Sequence, residues 1–161
     1  MEFINPFAIF VAAVASLIVG FIWYNPKVFG TIWMRESGLT EERLKNGNMA
    51  VIFLLALLFA FMLALALPLL VVHQTSAMSL VNGDVTTAMP SFHAFMDDYG
   101  DSFRTFKHGA LHGTLSGLFI ATPILSITAL FERKSYKYVL VNCGYWMVTL
   151  CIMGAIISGW H

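Results

Sequence analysis

The chain reads as an all-α integral membrane protein, a four-helix bundle of four transmembrane helices with a long outer loop between helices 2 and 3. Three observations carry that reading. Apolar residues make up 58% of the 161 residues and charged residues 11%, whereas a soluble domain is roughly a quarter charged. Four windows are long enough to cross about 30 Å of hydrocarbon, which takes roughly 20 helical residues. None of them contains Asp, Glu, Lys or Arg, and soluble buried helices of such length almost never run charge-free. The whole chain, 1–161, is expected to form a single transmembrane domain.

The first window, 3–24, has no Lys or Arg ahead of it. A secretory signal needs a basic start, so this segment is expected to be retained despite Ala13, Ala15 and Ser16. Trp23 and Tyr24 close it as interfacial aromatics, and Pro26 stops the helix because it lacks a backbone donor. In the loop that follows, Thr40 as N-cap, Glu41 and Glu42 in the first turn and Gly47 as terminator predict a short helix.

The second window is 49–72. The connection after it, 73–108, opens on the turn formers Asn82, Gly83 and Asp84. Phe92, Phe95, Met96, Tyr99, Phe103 and Phe106 then recur at helical spacing beside Asp97, Asp98 and Asp101. That pattern suits an amphipathic helix on the outer membrane surface with Gly100 as its weak point; the alternative is a loop that packs its aromatics on the spans.

The third window is 109–131 and the fourth 138–160, the latter opened by Tyr136 and Tyr138 and ended by Trp160. Cys143 and Cys151 are two helical turns apart, about 12 Å, beyond the reach of a disulfide. In lipid, tight helix association depends on small residues. Gly109, Gly113, Gly117 and Ala121 fall four apart on one face of the third span; Ala8, Ala12, Ser16 and Gly20 repeat the device on the first, and Ala56, Ala60 and Ala64 on the second. These faces serve either packing inside one bundle, the expectation for most of them, or self-association. Pro68 and Pro123 each remove a backbone hydrogen bond, and Thr122 can re-satisfy a carbonyl beside Pro123; a static kink is favoured over a gating hinge.

Basic residues set the expected orientation. Lys27, Arg35, Arg43 and Lys45 are in the first connection and Arg133, Lys134 and Lys137 in the third, against Arg104 and Lys107 on the other side. The positive-inside rule then places the first and third loops in the cytoplasm and both termini outside. Nine basic and nine acidic residues give no net charge, so no field draws in nucleic acid.

No phosphate-binding glycine loop, nucleophile elbow or His-Glu-x-x-His run occurs, so no catalytic residue is assigned. Nor is there an internal repeat of the transporter kind. The remaining chemistry rests on histidine. His73, His93, His108, His112 and His161 all fall on the expected outer side, and His108 and His112 share a helical face at i, i+4, a spacing that suits two imidazoles on one divalent transition metal. His73, His161, Asp97, Asp98 or Asp101 would complete the set. The competing readings are ordinary interfacial histidines and a proton sensor. His108, His112, Ser116 and Asn142 form a candidate polar or ion path. Asn142, Tyr145, Trp146 and Thr149 make a polar-aromatic stripe on the fourth span, read as glue between helices.

Trp23-Tyr24-Asn25-Pro26, Phe29-Gly30, Trp33-Met34, Phe131-Glu132 with Lys134 and Tyr136-Lys137, and Asn142-Cys143-Gly144-Tyr145-Trp146 with Met153-Gly154-Ala155 resemble the bacterial membrane family labelled domain of unknown function 1761. The resemblance covers the chain apart from the loop Gln74 to Lys107. It implies a small four-span protein of the bacterial cytoplasmic membrane with no assigned reaction. The expected function is a non-enzymatic one exerted through helix packing, as a homo-oligomer or as an accessory to another membrane protein in contact with lipid. A small oligomeric channel or transporter is the alternative, and a metal- or haem-binding membrane protein the third.

Overall fold

The computed structural model describes residues 4–161. Phe3, at which the sequence reading starts the first span, lies outside the described residues. Among those described there are helices and no strands. Four helical segments are long and apolar enough to cross a membrane: Pro6–Trp23, Met49–Val71, Phe106–Phe131 and Tyr136–Gly159. The third begins three residues earlier than its apolar window and the fourth two, because Thr105 and Ser135 cap them: the Thr105 hydroxyl accepts from the His108 amide at 3.1 Å and that of Ser135 from Tyr138 at 3.2 Å. Capping chemistry thus carries Lys107 and Lys137 into the first turns.

Helix α1 (Pro6–Trp23) starts on Asn5, whose side chain accepts from the Phe7 amide, with Pro6 in the first turn. A wide five-residue turn, Pro26–Gly30, leads into α2 (Thr31–Ser37). A Cβ on Gly30 would overlap the Tyr24 carbonyl, so only glycine fits this turn. The predicted short helix forms as α3 (Glu41–Lys45) on the Thr40 cap. The second span is α4 (Met49–Ala66) followed, across Leu67, by α5 (Pro68–Val71). The long connection folds into α6 (Gln74–Leu80) and α7 (Pro90–Tyr99). Its helical spacing of aromatics does not continue past Gly100, and Phe103 and Phe106 take separate roles. The third span is α8 (Phe106–Ser116), a wide turn Gly117–Ala121, and α9 (Thr122–Phe131). The Thr122 hydroxyl donates to the Gly117 carbonyl at 2.9 Å, as expected of a threonine beside an intramembrane proline. The fourth span is α10 (Tyr136–Gly159).

Helix α10 is the hub. Glycines of α8 let the two backbones meet: a Cβ on Gly109 would overlap the Gly154 carbonyl, one on Gly113 the Leu150 carbonyl, and one on Gly117 would stand 2.7 Å from the Met147 Cα. The small face of α1 packs inward too. Ala8, Ala12 and Ser16 are buried, and Gly20 faces the Tyr145 ring. Ala60 and Ala64 of α4 join Ile9, Ala12, Ala13, Leu150, Met153 and Ile157 in one core. Ala121 is half-buried against it. These small residues therefore form contacts within the chain. Cys143 and Cys151 are free thiols.

Candidate metal centre

Three histidines from two separate segments meet at one end of the helices. His73 follows α5, where the chain turns out of the helix at Val72 with φ −123°; His108 and His112 are one turn apart on α8. The placement follows from packing. The bend at Leu67–Pro68 keeps Leu67, Val71 and Val72 in the core, and α5 packs on α8, which brings the residue after Val72 onto the histidine row.

One ligand nitrogen from each of His73, His108 and His112 lies within 4.8 Å of the others. Nε2 of His73 and Nε2 of His108 are 2.9 Å apart, a hydrogen bond in which one ring donates and the other accepts. Imidazoles on a tetrahedral ion at about 2.0–2.1 Å stand about 3.3 Å from one another, so this pair needs to open by only a few tenths of an ångström. For both Nε2 atoms to ligate, the ring that holds its proton there must carry it on Nδ1 instead. The His112 ring lies 4.8 Å from that of His73 and 4.5 Å from that of His108, centroid to centroid. His73 is exposed and the other two half-buried.

One aromatic of the expected amphipathic helix lies instead against two of the three histidines. Phe103 stacks on His108 at 4.9 Å and meets His73 edge-on at 6.0 Å. It does so from a backbone φ of 64°, a region that L residues with bulky side chains rarely occupy. The buried Gln74 amide fastens this turn, donating to the carbonyls of Tyr99 and Ser102, both at 2.7 Å. Arg104, the next residue, is buried as well, and that burial, outweighing the nearby Asp101, holds its guanidinium below its ordinary pKa. A recess of about 240 Å³, lined by His73, Gln74, Phe95, Tyr99, Ser102 and Phe103, gives access from the loop side.

The other predicted site residues lie elsewhere. His161 is exposed at its end of α10, and neither it nor Asp97, Asp98 or Asp101 belongs to the trio. The Ser116 hydroxyl, one turn below His112, donates to the His112 carbonyl at 2.8 Å. Asn142 is at the opposite end of the molecule. There it accepts from the Tyr24 hydroxyl at 2.9 Å and donates to the Tyr138 carbonyl. Tyr145 donates to the Ser16 carbonyl at 3.2 Å and the Trp23 indole to that of Val141 at 3.0 Å. Asn142 and Tyr145 of the stripe thus tie α10 to the end of α1, and the trio and Asn142 form two separate constellations.

The four apolar helices mark a membrane protein, and what distinguishes it is a three-imidazole cluster at one end. The model of the family described as protein of unknown function (DUF1761) matches residues 7–158, and the chain belongs to that family. No curated protein and no solved structure gives a match.

Proposed function

We propose that this is a membrane protein whose outer end binds a divalent transition metal through His73, His108 and His112. The observation that carries the reading is the convergence of three imidazole nitrogens within 4.8 Å from segments 35 residues apart in sequence. Imidazole suits zinc and copper, and three protein donors leave one coordination position for an exchangeable ligand, the pattern of reactive sites and not of closed structural ones. The excess of Lys and Arg in the first and third loops supports a bacterial cytoplasmic-membrane protein with the trio and both termini outside.

A role as homo-oligomer or accessory subunit would draw on the small-residue faces. Those faces meet other helices of the same chain, so they support internal packing first; the particle mass in lipid discs tests the oligomer directly. Metal content decides the main reading. Protein purified without a histidine tag and dialysed against micromolar zinc is expected to retain one ion per chain. His73→Ala, His108→Ala and His112→Ala should each weaken binding by more than the roughly 10- to 100-fold that outer-shell changes cost, while His161→Ala changes nothing. Equal retention by wild type and all three variants rejects the site.

A further inference from the structure

The face of α8 that carries His112 continues downward as Ser116, Ile120 and Ile124, and there it borders a crevice open to the lipid. The crevice exists because α4 leans on α1 while α9 leans on α10, so the second and third spans part below Pro68. Its volume is about 310 Å³, and its walls include Leu67, Leu70, Ser116, Ile120 and Ile124 with Trp146 as floor. That is within the range of ligand pockets, about 300–1,000 Å³, and apart from Ser116 these walls are apolar. From Ser116 to His112 is four residues of helix, about 6 Å; Leu70 precedes His73 by three. The crevice therefore ends one turn short of the trio.

Charge selects what fits at that junction. The trio offers three imidazole nitrogens, which carry no charge to an ion they ligate, and among the described residues no carboxylate belongs to it. A bound divalent ion keeps its two positive charges, so the ligand completing its coordination is favoured when anionic. We propose that a long-chain carboxylate occupies this site, with its head on the metal ion and its single chain along the crevice between the second and third spans. This rests on the metal reading above and supplies the exchangeable ligand for it. A phospholipid would bring two chains to a crevice of about 310 Å³, and a single-chain carboxylate brings one.

Tryptophan fluorescence tests it in discs of unbrominated lipid, with zinc measured on each sample. Stearic acid brominated at mid-chain should quench saturably through Trp146, and unbrominated stearate should restore the signal. The saturable component should vanish in Trp146→Phe, and affinity should fall at least tenfold in Ala66→Phe, which fills the crevice from an exposed position, and in zinc-stripped wild type. Phosphatidylcholine carrying the same brominated chain should quench weakly and without saturation. Equal, non-saturable quenching by both probes in zinc-loaded protein overturns the carboxylate and leaves the metal site standing. Saturable binding that ignores zinc also overturns the proposal, since the head is then not on the ion. A wild type that retains no zinc removes both.

Discussion

Phe103 holds its place at an energetic disadvantage. A left-handed backbone costs an L residue about 1–2 kcal/mol, and the ring is largely exposed, so burial offsets little of that. What the conformation achieves is a ring stacked on His108. Phe103→Gly should therefore leave the melting temperature unchanged or raise it slightly while weakening zinc retention and speeding zinc exchange, measured by chelator competition. A clear loss of stability with unaltered zinc kinetics assigns the ring to packing alone. Residue-scale reading of the sequence picked out His108 and His112 by their spacing, and named His73 beside His161 and the aspartates as candidates to complete the set. It set Phe103 on an amphipathic helix and so missed its contact with the histidines, because nothing in a phenylalanine announces positive φ. Nor did it find Gln74, whose partners are backbone carbonyls 25 and 28 residues away. Another such link is the Ser135 hydroxyl, which caps α10 and also donates to the half-buried Glu36 at 2.6 Å, holding that carboxyl below its ordinary pKa together with Arg35.

Between elements, the decisive contact is the glycine row of α8 on α10. Gly113→Leu would drive a side chain into the Leu150 carbonyl and part the helices. Overpacking typically costs about 1–3 kcal/mol, and an interhelical contact in lipid about 1 kcal/mol, so a wedge that breaks several contacts should lower thermal stability severely. Leu118→Ala alters an exposed residue and should do far less. An unchanged melting temperature for the leucine variant would mean that the row faces lipid. The four-residue spacing made this face readable, since small residues repeat there for a physical reason. Its partner was not readable: Gly154 and Gly159 are also close-contact glycines, against Gly109 and Phe106, but they do not fall on a four-residue row. The span ends moved by two or three residues because hydroxyl caps outrank hydropathy in setting where a helix starts. The helix of the long connection stopped at Tyr99, where the turn that delivers Phe103 begins.

Over the whole molecule, the trio and the aromatic cluster around Tyr24 and Asn142 mark opposite ends, and their sidedness rests on the basic residues. In a background lacking Cys143 and Cys151, a cysteine at Lys45 should resist an impermeant reagent in intact cells and react once the membrane is opened. Labelling of intact cells would invert the molecule and place the trio in the cytoplasm. Four spans were legible because twenty apolar residues without charge have few other uses. The arrangement was less so, since the choice of a central helix depends on which faces meet, and no span carries a charged face that would set its direction. The position of α10 also has an implication for synthesis. It is the last of the four to be made, yet α1, α5 and α8 all dock on it. Until it enters the bilayer, the glycine row of α8 has no backbone to pack against, while α1 already has α4 beside it and α8 has α5. The first three spans therefore make two separate contacts, one of which brings His73 to the α8 histidines, and the arrival of α10 joins them into one assembly.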